Sequence, residues 1–203
     1  LFNHTGLMQI SFDGLEGNWS TGMGQYGRTL FVKTWWDNLR DDLRTGINDA
    51  SNPGHYFWHI YTRMNWGEPW YAGFRESQTE YRLKNQEYFS RNLMPRMLGW
   101  FNMTGQTSIE DAEWLLARAA GFDAGFALNT SLGVVQNNGL GESILKTINA
   151  WETARMSGAF SESQKLRLQD IRQEFHLEAV NARSWNLYPV YSSKHTFAEQ
   201  VQP

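Results

Sequence analysis

The sequence predicts an α/β protein in which short apolar strands alternate with helices along most of the chain. Residues 7–12 form a short apolar stretch that stops abruptly at Asp13. Similar apolar stretches recur at residues 97–103 and 122–128, and Asn129 follows the latter. Segments with apolar positions at helical spacing lie between these stretches. Such alternation is typical of a parallel sheet that is covered by helices.

The amino-terminal elements are assigned from their hydrophobic periods. Residues 7–12 are predicted as the first strand. Residues 28–44 carry apolar side chains at helical spacing with charges between them, which indicates a helix. Residues 55–61 are dense in β-forming side chains and are predicted as the second strand. A helix over about 75–94 follows, and Pro95 closes it.

The carboxyl-terminal elements continue the alternation. Residues 97–103 are predicted as the third strand, and Ser108 then caps a helix that Gly121 ends. The remaining predictions are a fourth strand over 122–128, helices over about 141–156 and 161–173, and a tail from Phe175 that alternates like antiparallel β structure.

Four β/α units amount to half of a TIM (β/α)8 barrel, which needs about 250 residues. We therefore expect residues 1–173 to be the C-terminal half of a (β/α)8 catalytic barrel and residues 174–203 to begin a β-strand-rich appendage. We then expect the amino-terminal half of the barrel to be formed by the remainder of the same enzyme. A complete open α/β sheet of four strands is the alternative.

Composition and motifs exclude several function classes. The chain has 203 residues, a net charge of −3 and no cysteine, so nucleic acid is not an expected partner and thiol chemistry is excluded. No apolar stretch reaches the length of a membrane span. Residues 22–27 match a dinucleotide-binding motif in letters only, because no strand directly precedes them. No metal-binding motif occurs, so neither a cofactor nor a metal is expected.

Three carboxylates are the candidate catalytic groups. Asp13 and Glu16 follow the first predicted strand, and Glu68 follows the second. The carboxyl ends of parallel strands face the crevice where ligands bind. Glycoside hydrolysis needs two carboxyl groups beside one bond, and Asp13 with Glu68 is the preferred pair. Glu16 is the alternative to either, and Glu68 could instead form a loop salt bridge.

Polar and aromatic side chains near the other strand ends are candidate substrate-binding groups. The chain contains 10 Trp, 8 Tyr and 12 Phe, several of them in polar surroundings. Indole rings stack on the apolar faces of sugars, although core packing also explains aromatic residues. The predicted substrate-binding residues are His59, Tyr61, Arg63, Asn65, Trp66, Trp70, Asn102 and Asn129.

Three segments, residues 11–17, 65–70 and 117–126, carry a family resemblance. They resemble the C-terminal barrel half of large secreted polysaccharide-degrading glycoside hydrolases of Bacteroidetes-type bacteria. The first segment is also similar to a strand end of the α-galactosidase-like group, in which an Asp after a strand is catalytic. The resemblance implies that Asp13 is the nucleophile or base. That group has a second catalytic Asp at a later strand end, where Glu68 is the nearest candidate here.

The expected function is therefore a glycoside hydrolase that acts on a complex polysaccharide or oligosaccharide, in an extracellular, periplasmic or cell-surface location. A polysaccharide lyase is the first alternative. It would use His59 or Tyr61 as the base that removes a proton beside a uronate, while Arg63 neutralises the acid group. A non-catalytic carbohydrate-binding protein that uses the Trp clusters is the second.

Overall fold

The structure, a computed structural model, describes residues 1–15, 22–51, 53–64 and 74–193. Its strands are β1 (Gln9–Phe12), β2 (Ile47–Ala50), β3 (Arg63–Met64), β4 (Met97–Asn102), β5 (Gly125–Asn129), β6 (Glu174–Asn181) and β7 (Ser184–Val190). Its α-helices are α1 (Phe2–Thr5), α2 (Gly24–Asp37), α3 (Phe74–Ser77), α4 (Gln86–Arg91), α5 (Ile109–Phe122), α6 (Leu132–Asn137), α7 (Gly141–Met156) and α8 (Glu162–Leu168). Short 3-10 turns cover Asp41–Leu43, Pro53–His55 and Leu83–Asn85.

Two parallel sheets and one hairpin organise the chain. β1, β2 and β3 form a parallel sheet in that order, and β4 pairs with β5 in a second one. α2 connects β1 to β2 and α5 connects β4 to β5, as parallel pairing requires of a crossover. β6 and β7 pair antiparallel, as the alternating tail predicted. The protein is thus mixed α/β, which confirms the coarse prediction, and the described residues form no closed barrel.

The predicted second strand over residues 55–61 is wrong. Pro53–His55 is a 3-10 turn, and the backbone N–H groups of Ile60 and Tyr61 both donate to the carbonyl of Phe57, at 2.9 Å each. These local bonds leave no ladder with another strand. The aromatic side chains that suggested a strand pack as a core cluster instead, since β propensity largely reports packing. The strand that follows α2 is β2, Ile47–Ala50.

The helix predictions differ in accuracy. The bounds of α7 agree with the predicted helix over 141–156. α5 begins as predicted, because Ser108 Oγ accepts a hydrogen bond from the backbone N–H of Asp111 at 3.2 Å. It ends at Phe122 rather than at Gly121, and the capping residue Asp123 has a left-handed φ of 48°.

Other helices are shorter or interrupted. α2 ends at Asp37, well before the predicted limit at 44, and α8 ends at Leu168 instead of 173. The predicted helix over 75–94 is divided into α3, a π-helical turn (Gln78–Arg82), a 3-10 turn and α4. α6 was not predicted. No helix in the described part of the chain is long and apolar enough to cross a membrane.

Most of the core surrounds α5. Every residue of this helix from Ala112 to Gly121 is buried, and it packs against α7, α8 and β6. A second apolar cluster lies between α2 and the first parallel sheet, where the rings of Phe12 and Trp35 meet edge to face at 4.8 Å. One face of that sheet is therefore covered by α2, and the alternate side chains point to the opposite face.

Candidate functional site

A row of polar side chains crosses the first parallel sheet on the face away from α2. Strand register pairs Ser11 with Asp49 and Asp49 with Arg63. The next row is Phe12, Ala50 and Met64, whose side chains are all buried. Because successive side chains alternate between the two faces, the polar row lies on the uncovered face. We refer to this face as the inner face.

A cavity of about 600 Å³ lies beside the inner face, between the two parallel sheets. Gln9, Ile47 and Asp49 line it from β1 and β2, and residues of both β4 and β5 line its other side. Asp49 and Arg63 are among its charged lining groups, together with Arg96, Asp123 and Arg155. The cavity therefore borders both sheets, and several charged side chains line it.

Asp49 is a buried carboxylate, one oxygen of which has no hydrogen-bond partner among the described residues. Asp49 is only 9% exposed, and its Oδ1 atom accepts no hydrogen bond from a described residue. Burial raises the pKa of Asp49, and the neighbouring positive charge of Arg63 partly opposes this rise. Buried carboxylates with displaced pKa values are common at functional sites. Sequence analysis did not select Asp49.

Asp13 lies one residue beyond the end of β1, as predicted. It is exposed to solvent, and its Oδ1 atom accepts a hydrogen bond from the backbone N–H of Gly14 at 2.8 Å. Gly14 has a φ of 68°, a left-handed conformation that glycine adopts without strain. The turn therefore holds the Asp13 carboxylate at the carboxyl end of the strand and open to a ligand.

Asn102 and Asn129 end the two strands of the second sheet. They are register partners, and Asn129 Nδ2 donates to Asn102 Oδ1 at 2.8 Å. Both side chains are exposed, so each amide retains hydrogen-bonding capacity toward a ligand. The structure thus brings together two of the predicted substrate-binding residues at one strand edge.

His59 and Tyr61 do not lie on a strand, contrary to the prediction. Tyr61 is buried among Phe12, Tyr56 and Phe57, and burial raises its pKa to about 12. His59 is exposed, and its ring meets Trp58 edge to face. Neither residue lines the cavity. Arg63, by contrast, lies on β3 and does line it.

Several predicted residues lie outside the described part of the chain. These are the carboxylates Glu16 and Glu68 and the substrate-binding candidates Asn65, Trp66 and Trp70. Among the described residues, no group of three His, Asp or Glu side chains is placed to hold a metal ion.

Comparison of the chain with protein-family models, with curated proteins and with solved structures gave no match.

Proposed function

We propose that this protein is a glycoside hydrolase that cleaves a glycosidic bond in a polysaccharide or oligosaccharide. The observation that carries the proposal is the exposed Asp13 carboxylate immediately after β1, at the carboxyl end of a parallel sheet. Ligands of α/β sheets bind beyond the carboxyl ends of parallel strands. Asn102 and Asn129 place further polar groups at equivalent strand ends of the second sheet.

In this proposal the two parallel sheets belong to one half of a (β/α)8 barrel. Two sheets of parallel strands, a cavity that residues of both sheets line, and helices packed around α5 support it. In such a barrel the reacting groups lie at the carboxyl-terminal end of the strands.

The proposed mechanism uses two carboxyl groups. Asp13 attacks the anomeric carbon as nucleophile, or acts as the base that activates a water molecule. Glu68 donates a proton to the leaving oxygen, and Glu16 is the alternative for either role. The distance between the two carboxyl groups decides between retention and inversion. Polar groups at the strand ends, above all Asn102 and Asn129, bind sugar hydroxyls.

The lyase alternative receives less support from the geometry. A tyrosine base removes a proton as its phenolate, and burial of Tyr61 raises its pKa to about 12, far above neutral pH. His59 is exposed and does not line the cavity. Neither candidate base therefore shares the cavity that Arg63 lines.

The test is an assay of the full-length protein against a panel of neutral and uronate-containing polysaccharides. Hydrolysis releases new reducing ends, whereas a lyase also forms an unsaturated uronate that absorbs ultraviolet light. We expect the protein to release reducing ends without forming a product that absorbs ultraviolet light. An unsaturated product supports the lyase, and binding without turnover supports a carbohydrate-binding protein. We propose an extracellular or periplasmic location, because such substrates do not cross membranes.

A further inference from the structure

The inner-face cavity has the size and the lining of a ligand site. Its volume of about 600 Å³ lies within the range of roughly 300–1,000 Å³ that small-molecule sites occupy. Apolar groups such as Ile47, Met97 and Phe126 line it together with charged side chains. A mixed lining of this kind suits a ligand with both apolar faces and hydroxyl groups.

Most charged groups of the lining already have partners. Arg155 donates to Asp123 at 3.0 Å and to Glu152 at 2.8 Å. Arg96 donates to the carbonyl of Phe122 at 2.9 Å and to the Ser90 hydroxyl at 3.1 Å. These interactions fix the rim of the cavity and leave few free polar groups inside it.

Asp49 and Arg63 are different, because neither forms a hydrogen bond or ion pair with a described residue. They are register partners on β2 and β3, so their Cα atoms are about 4.8 Å apart. Despite this proximity their side chains do not form a salt bridge. The Asp49 residue is more than nine-tenths buried, and its Oδ1 atom has no donor. A buried carboxylate oxygen in this state accepts a hydrogen bond from an ordered water or from a ligand hydroxyl.

The charges of this site favour a neutral ligand. The three arginines of the lining are balanced by Asp49, by Asp123 and by Glu152 behind Arg155. A uronate or a sulfate would gain from Arg63 but would meet the negative charge of Asp49 one strand away. A hydroxyl group avoids this conflict, because it both donates and accepts hydrogen bonds.

We propose that this cavity binds a neutral sugar ring, with Arg63 donating to one ring hydroxyl and Asp49 accepting from the neighbouring one. Adjacent hydroxyls of a pyranose match a donor and an acceptor that stand on neighbouring strands. The inference rests on the proposed function, and it names neutral pyranosides as the substrate class and this pair as the subsite. No role in proton transfer is assigned to either side chain.

The experiment measures binding rather than turnover. Saturation-transfer difference NMR detects binding of small ligands to the full-length protein at millimolar concentration. The neutral ligands are methyl α-glucopyranoside, methyl α-galactopyranoside and methyl α-mannopyranoside, and glucuronate is the anionic ligand for comparison. Asp49→Asn and Arg63→Met test the pair. Asp41→Asn and Arg183→Met are matched controls, since both residues are exposed and lie outside the cavity. Circular dichroism confirms that each variant is folded.

We expect at least one neutral glycoside to bind, and both test variants to weaken its binding by about tenfold or more while the controls bind normally. Three results overturn the proposal: no neutral glycoside binds, the variants bind as well as the native protein, or glucuronate binds better than every neutral sugar. Loss of binding in these variants combined with full turnover by Asp13→Asn would retain the subsite and reject the proposed hydrolase.

Discussion

Asp49 and Arg63 are partners in strand register, yet no hydrogen bond or ion pair joins their side chains. Burial of an unpaired carboxylate disfavours folding, and its retention at the centre of a cavity is typical of a functional site. If the inner face binds sugar as proposed, it is the part of this fold where ligand binding and stability oppose one another.

Asp49→Asn should stabilise the protein at neutral pH by about 1 kcal/mol. Burial raises the pKa of Asp49, so the folded state binds its proton more tightly than the unfolded chain does. The contribution of this group to the free energy of unfolding is therefore greatest below its ordinary pKa of 3.8, and it is lost as the pH rises through the raised value. Urea unfolding between pH 4 and pH 8 measures the difference.

The gain from Asp49→Asn should shrink toward acid pH, where the native carboxyl is protonated as well. Asp41→Asn is the control, because the Asp41 side chain is 95% exposed. A stabilisation by Asp49→Asn that does not change with pH would mean that the buried charge of Asp49 does not destabilise the native protein.

Glu113→Gln should destabilise the fold by about 1 kcal/mol. The buried Glu113 carboxylate accepts hydrogen bonds from Trp151 Nε1 at 3.1 Å, from the backbone N–H of Leu177 at 3.1 Å and from His176 Nδ1 at 3.0 Å. It thereby connects α5, α7 and β6. The carbonyl oxygen of a glutamine can still accept from Trp151 and Leu177, but its amide group replaces the oxygen that faces His176 and the negative charge is lost.

The measurement for Glu113→Gln is the midpoint of urea unfolding. Glu87→Gln serves as the control, since Glu87 is an exposed helical glutamate. Equal midpoints for the two variants would show that the carboxylate does not hold these elements together.

Gly121→Ala should also destabilise, by about 1–3 kcal/mol, even though alanine favours helices by about 1 kcal/mol over glycine. A Cβ atom at Gly121 would lie 2.9 Å from the backbone carbonyl carbon of Leu168, which ends α8. Backbone cannot move aside as a flexible side chain can. Thermal unfolding compares this variant with Gly105→Ala, whose Cβ would meet nothing within 4 Å. A more stable Gly121→Ala protein would contradict the close packing of α5 on α8.

Local signals predicted where α5 and α8 begin, because caps act over a few residues. Ser108 caps α5, and Ser161 forms a capping box with Gln164 at the start of α8. The strand over 55–61 failed for the opposite reason: its aromatic side chains favour burial, and burial alone does not determine which backbone groups pair.

Part of the candidate site also followed from the sequence. The positions of Asp13, Asn102 and Asn129 at strand ends depend only on where apolar stretches stop. Asp49 could not be found in this way, because β2 is short and half polar and does not show a strand period. Its importance arises from register with Ser11 and Arg63, which are distant in sequence.

The most direct test of the proposed hydrolase is the turnover of Asp13→Asn, measured as reducing ends released from a polysaccharide that the native full-length protein degrades. Asp13 is exposed, and among the described residues its side chain accepts only the Gly14 N–H, so the variant should fold and still bind sugar. We predict a loss of about 10²- to 10⁴-fold in turnover. A variant that degrades the polysaccharide at the native rate would contradict the central claim that Asp13 takes part in cleavage.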